Sequence, residues 1–184
     1  HYLEEIQRAK ETLEQRVTER TRELSSLYTA LTPLAPADSA HEIMGGIIER
    51  LIEATGADAA LIRLGDKGSG DLIQVSQRGY PDYYLKTVGA APPSGAASWV
   101  YTNGEPIIAP DIAAESRLKG KVQLQVGFRS CAILPLIVHH QVRGIIHLSS
   151  RKLGYFDEEQ TERLMAIARQ MSIALENRDL FCAA

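Results

Sequence analysis

Apolar and polar positions divide this chain into segments of different period. Ser130 to Ser150, SCAILPLIVHHQVRGIIHLSS, holds two apolar runs, Cys131–Val138 and Val142–Ser149, around the polar block His139, His140 and Gln141. The runs are of strand length and too short for a buried helix, so they predict a central hairpin covered on both faces. Pro135 cannot donate to a ladder and is expected at a bulge or strand end. Gly144 suggests a bulge or a close backbone approach. Ala59–Leu64 and Leu72–Arg78, joined by the turn Asp66–Gly70, read as a second hairpin. Pro106–Ala109 is a further short strand.

Helical segments appear at several places. Residues 1 to about 32 place Leu3, Lys10, Val17, Leu24 and Leu31 at position a of a heptad, and Ile6, Leu13, Arg20 and Leu27 at position d. No Gly or Pro interrupts the segment before Pro33, and the remaining positions are largely charged. This predicts a coiled-coil helix whose seam, Leu3, Ile6, Leu13, Val17, Leu24, Leu27 and Leu31, needs a partner; a second copy in parallel is the simplest one. Pro33 and Pro36 end it. Ser39 and Glu42 form a capping box ahead of Ile43, Met44, Ile47, Ile48, Leu51 and Ile52, with Gly56 as the C-cap. Gly45 and Gly46 fall inside that helix, at a cost that close packing against a neighbour would offset. Pro81–Val88 reads as a short helix with Tyr83, Tyr84 and Leu85. Ser94 opens another through Trp99, Val100 and Tyr101, closed by Asn103-Gly104. Asp111–Gly127 reads as polar, a short helix and a mobile loop. Asp157 caps the last helix, Glu158–Leu180.

Composition adds bounds. The 184 residues are 45% hydrophobic and 23% charged, with a net charge of −3. That excludes the basic footprint of a nucleic-acid binder. No apolar run approaches a membrane span and no signal peptide is visible. Two cysteines, Cys131 and Cys182, are too few for a disulfide framework and fit a reducing cytosol. The start at His1, inside a helix, suggests a piece excised from a longer protein.

The order of elements predicts an α+β fold. A central antiparallel sheet of five to six strands carries N- and C-terminal helices on one face and a helix-and-loop cap on the other. Four patterns in this order carry a family resemblance: Ile43–Ala57 (IMGGIIERLIEATGA), Ser94–Asp111 with its Gly104-Glu105-Pro106, Phe128–Ser149, and Phe156–Asn177 (FDEEQTERLMAIARQMSIALEN). Together they resemble the GAF domain, a small-molecule sensing module of signalling proteins, over roughly Leu27 to Phe181, with the domain itself set at 33–181. Arg16–Leu27, RVTERTRELSSL, resembles the linker helices of bacterial two-component sensor histidine kinases. The resemblance implies a regulatory, non-catalytic fragment. It also implies a homodimer joined through N- and C-terminal helices, a downstream kinase domain, and a cytoplasmic site in a parent anchored in the inner membrane. A ligand-free relay and a cyclase module are the alternatives; a small-molecule redox enzyme is a third, which the cysteine count argues against.

The resemblance also places a ligand cavity between the sheet and Ser94–Phe128. Trp99, Tyr101, Ile112, Arg117, Phe128, Arg129 and His147 are its candidate lining residues, and the two arginines could pair with an anion. His147 shares a strand face with Ile145 and Ser149; it is a pocket donor, a haem ligand or, the favoured reading, a satisfied core or surface histidine. His139 and His140 read as a solvated turn rather than a metal site, because adjacent side chains diverge. His41, in the first turn of its helix, reads as exposed. Cys131 reads as buried and inert. The segment after the third strand has no bilin-attaching cysteine, and the Asn-Lys-Phe-Asp-Glu signature of cyclic-nucleotide binders is missing. The several cysteines of GAF-type methionine sulfoxide reductases are missing too. No cofactor, metal or catalytic residue is implied, and the ligand is unknown.

Overall fold

The structure, a computed structural model, describes residues 2–30, 40–66, 68–89, 95–118 and 122–177. Leu31, Pro33, Pro36, Ser39, Ser94 and Cys182, and the side chains of Leu24, Leu27 and His41, lie outside the described residues. The chain divides into two units, 1–36 and 37–184.

The first unit carries helix α1, Tyr2–Ala30. Its interior lacks Gly and Pro, and Lys10 pairs with Glu14 one turn on at 4.0 Å. The apolar stripe is uncovered: Leu3 is 82%, Ile6 62%, Leu13 64% and Val17 58% exposed. A helix of this kind gains nothing from its apolar residues until something covers them.

The second unit is built on five antiparallel strands: β1 Ala59–Gly65, β2 Leu72–Arg78, β3 Ile107–Ala109, β4 Ser130–Val138 and β5 Gln141–Ser150. Their order in the sheet is β2-β1-β5-β4-β3. The predicted central hairpin is the middle of this sheet. Its loop is two residues long, His139 and His140, with φ of 48° and 64°. Both left-handed values fit a type I′ turn, whose twist matches that of the strands. Gln141, read as part of the turn, is the first residue of β5, because a two-residue loop closes the ladder on the Val138–Gln141 pair.

Two irregularities mark the sheet. Leu136 pairs with Gly144 and Ile137 with Val142, which leaves Arg143 as a bulge beside Gly144. A Cβ on Gly144 would strike the carbonyl oxygen of Arg63 on the neighbouring strand. Pro135 pairs with Ile145 one residue before that shift, beyond the Ile133 position where β3 ends. The second irregularity lies between β1 and β2. Ile62 pairs with Ser76 and Arg63 with Gln74, so Val75 is a bulge opposite Arg63.

Alternate residues of the strands feed two cores. On one face, Ala60, Ile62, Leu64, Ala132, Leu134, Leu136, Ile146 and Leu148 pack against α2, Ala40–Thr55, and α6, Thr161–Asn177. Each fully buried Ile or Leu there is worth roughly 1.5–3 kcal/mol over the exposed side chain. Gly56, at φ 69°, ends α2, and its amide donates to Ile52 O at 2.7 Å. A 3-10 turn, Glu158–Gln160, leads into α6, and Asp157 caps it by accepting from the Gln160 amide at 3.1 Å. On the other face lies a cap of α3, Asp82–Gly89, α4, Ala96–Asn103, and α5, Val122–Gln125.

Two expectations are corrected. Gly45 and Gly46 face open space rather than a close neighbour, so nothing there offsets their helix cost. The segment Asp111–Gly127 is not simply polar, since Ile112, Leu118 and Val126 are buried in the cap-side core. Their alignment against the sheet, rather than a local period, decides this.

Replacing the exposed Gly46 by Ala is expected to stabilise the fold by about 0.5–1 kcal/mol, measured by urea unfolding. Gly79→Ala is expected to cost roughly 3 kcal/mol in the same assay. Gly79 has φ 85°, and a Cβ there would collide with the carbonyl oxygen of Asp58.

Candidate functional site

Strand register sets which side chains meet beneath the cap. Across β1 and β5, Ala59 faces Ser149, Leu61 faces His147 and Arg63 faces Ile145. Across β5 and β4, Ile133 faces His147 and Cys131 faces Ser149. Directly opposed residues of antiparallel strands share a face. Arg63, His147, Ser149 and Cys131 therefore lie on one surface among Leu61, Ile133 and Ile145.

An aromatic group closes over that surface. Tyr80 stacks on Tyr84 with ring centres 4.8 Å apart, meets Phe128 edge-on at 5.3 Å and lies 6.0 Å from the His147 ring. The Tyr80 and Ser149 hydroxyls share a 2.7 Å hydrogen bond. Burial raises the pKa of both tyrosines, so both stay protonated. Arg63 is partly buried, and burial draws its pKa down against the influence of Tyr84 and Tyr80. A guanidinium nevertheless keeps its charge at neutral pH.

His147 is 6% exposed, and its Nε2 is fully buried with no hydrogen-bond partner among the described residues. Burial first, and the Arg63 charge second, push its pKa down to about 3. The imidazole is therefore neutral. The favoured reading of a satisfied histidine is corrected: the strand pairs around it supply Leu61 and Ile133, neither with a polar side chain. A buried polar atom without a partner carries a desolvation cost of about 1–3 kcal/mol.

The other candidates occupy different positions. Arg117 lies over the Trp99 ring, 5.1 Å from its centre. Its Nε and Nη2 donate to the two carboxylate oxygens of Glu115 at 2.8 and 3.0 Å. This pairing lowers the Glu115 pKa and raises that of Arg117, so the charge of Arg117 is already met. Ile112 and Phe128 are fully buried in the cap-side core. Arg151 covers the Phe128 ring at 4.9 Å. Tyr101 is half-buried, and its hydroxyl sits against Gly65 at the end of β1. Arg129 is exposed, between the buried Phe128 and Ser130. Trp99, Arg117, Phe128 and His147 thus belong to the cap region.

Sequence reasoning missed Arg63, Tyr80, Tyr84 and Ser149. A lone arginine in the apolar strand ALIRLG was the available signal for Arg63. Cys131 is buried, as expected, and burial, with a contribution from Glu115, pushes its thiol up to about 12. It is no thiolate nucleophile at neutral pH. Among the described residues no cluster of His, Cys, Asp and Glu can hold a metal. On the opposite side of the sheet, a groove of about 320 Å³ lies at the end of α2. There the Tyr155 hydroxyl donates to Thr55 O and Arg163 donates to Ala54 O, so both polar groups are engaged.

The fold and this two-sided arrangement agree with the comparisons to known proteins. The GAF domain family model matches residues 37–176, and the chain belongs to that family. No curated protein matches the chain. Three solved structures share the fold. One is a domain of a protein described as a two-component sensor histidine kinase from Sinorhizobium meliloti, at 20% identity and TM-score 0.59, covering 76% of this chain and 92% of that one. Another is the GAF domain of a phosphoenolpyruvate-protein phosphotransferase from Coxiella burnetii, at 20% identity and TM-score 0.67, covering 89% and 97%. The third is free methionine-R-sulfoxide reductase from Neisseria meningitidis, solved with its substrate, at 20% identity and TM-score 0.59, covering 76% and 81%. Among the described residues no helix is long and apolar enough to cross a membrane.

Burial of neutral His147 has a pH signature. The unfolded chain takes up a proton as pH falls below 6.5, whereas the folded chain waits until about 3. Stability present above 6.5 is therefore lost on acidification through that window, by up to about 1.4 kcal/mol per pH unit. Urea unfolding near neutrality and at about pH 5 should show His147→Gln losing less stability between the two than the wild type.

Proposed function

We propose that this GAF domain is the sensory module of a signal-transduction protein, a two-component sensor histidine kinase, and binds a small molecule on the cap side of its sheet. The observation that carries this reading is the buried, unpartnered Nε2 of His147 beneath a cap of aromatic side chains. A ligand supplying a hydrogen bond would offset the desolvation cost of the buried nitrogen. Trp99, Tyr101, Ile112, Arg117 and Phe128 surround the approach in this reading.

The route outward runs through β5. His147 faces the cap, while its neighbours Ile146 and Leu148 face the core shared with Leu164, Ala168, Met171 and Leu175 of α6. A ligand that moves His147 moves both neighbours, and the tip of the same hairpin pairs His139 with Glu176 in the last turn of α6 at 2.6 Å. Only a ligand with different affinities for two arrangements of these elements can shift them. Residues 1–32 serve as the signalling helix and 33–181 as the sensing domain. The uncovered stripe Leu3, Ile6, Leu13 and Val17 of α1, with the 39% exposed Ile173 of α6, supports a homodimer through both helices. Leu24, Leu27 and Leu31 continue the seam in sequence. The fragment is regulatory rather than catalytic, a reading supported by the protonated, buried Cys131. Its place is the cytoplasm, with a parent anchored in the inner membrane and a kinase domain downstream.

Native mass spectrometry of the purified chain, compared with its denatured mass, tests the ligand and the dimer together. The expected result is a dimer carrying an added small mass. A dimer with no added mass at any concentration would favour a ligand-free relay instead. Leu13→Asp combined with Val17→Asp should convert the dimer to monomer in sedimentation; a wild type that is already monomeric at high concentration contradicts the seam.

A further inference from the structure

We propose that the ligand is a small uncharged alcohol or phenol, whose hydroxyl pairs with the Nε2 of His147 and whose apolar body lies against the cap-side core. This rests on the reading of the cap side as the ligand site. Three observations define the class.

The first is hydrogen bonding. His147 Nε2 is fully buried and has no partner among the described residues. Polar groups on the same surface are engaged. The Tyr80 and Ser149 hydroxyls share their 2.7 Å bond, and Arg63 has an interaction of its own. A ligand is thus met at His147 by one polar atom and needs one in return. The neutral imidazole nitrogen donates in one tautomer and accepts in the other. A hydroxyl does both, so it answers either tautomer with no change elsewhere.

The second is charge. Burial holds His147, Tyr80, Tyr84 and Cys131 in their uncharged forms. Any ion entering among them gives up its hydration, a cost that only a well-placed counter-charge offsets. A cation would also meet the positive Arg63, whose charge already acts on His147. An anion would exchange its water for one neutral donor and compete with the interaction that Arg63 has. An uncharged ligand meets neither penalty.

The third is the surroundings. Leu61 and Ile133 flank His147 across the two neighbouring strands, with Ile145 two positions along β5. The Tyr80 ring lies 6.0 Å from the imidazole and meets Phe128 edge-on. Walls of this kind favour a compact apolar or aromatic body. Because Nε2 is fully buried, entry requires the cap to open. The cap helices α3, α4 and α5 have 8, 8 and 4 residues. Short elements anchored by a few side chains open locally at lower cost than a central sheet.

The test is long-range proton–nitrogen NMR of the histidine rings in the full chain at neutral pH, with His147 assigned by its loss in His147→Gln. Phenol and cyclohexanol are titrated as hydroxyl probes. Benzoate, benzylammonium and toluene offer the same ring size with an anionic head, a cationic head and no polar head. The expected result is a saturable shift of the His147 ring nitrogens with phenol or cyclohexanol, at concentrations where benzoate and benzylammonium give none. Toluene should bind about tenfold more weakly or worse, the scale of one hydrogen bond to a buried group. This comparison of head groups is made on the wild type, so it does not depend on the folding of any variant. No saturable shift with either hydroxyl probe, an equal response to benzoate or benzylammonium, or toluene as tight as phenol would overturn the proposal. A charged molecule retained in native mass spectrometry would overturn the hydroxyl class while leaving sensing intact. Failure of both hydroxyl probes together with no retained mass would remove the ligand site itself.

Discussion

Burial of β5 on both faces is the constraint on which the rest of this domain depends. The strand runs between β1 and β4, and Ile145 to Ser150 are buried without exception. An apolar strand in that position cannot leave either face wet. One face takes α2 and α6, which present regular helical stripes. The other takes α3, α4, α5 and the turns between them, which are short and hold their place by Tyr80, Tyr84, Val100, Ile112 and Phe128. The cap exists because the sheet requires a second cover.

Into that second cover the chain places groups that do not favour it. Arg63 and His147 each give up solvation, and Ser149 is fully buried. Ser149 regains a hydrogen bond from Tyr80. His147 Nε2 does not. Leu or Phe at 147 would fill the same strand position without the desolvation cost. Breaks in local consistency of this type concentrate where a protein binds something. The same strand then couples the two covers, since whatever occupies the cap face acts on residues whose neighbours pack against α6.

Much of this was legible in the chain. The unbroken apolar runs around His139-His140 declared a doubly covered hairpin, and Asp157 and Gly56 marked helix ends by capping chemistry that acts over a few residues. The site was less legible. Arg63 looks like an outward charge until the pairing places it opposite Ile145, on the face it shares with Leu61 and His147. Nothing local announces that pairing. Tyr84 reads as one residue of a short helix, because its stacking on Tyr80 depends on how that helix closes on the sheet. Gly45 and Gly46 suggested a close approach that the packing does not contain.

The most direct test of the central claim, that the cap face is a ligand site, is a high-resolution crystal structure of the chain as expressed. The account predicts density for a bound molecule larger than water within hydrogen-bonding reach of His147 Nε2. Nε2 paired with a protein group, or with water alone, would contradict it.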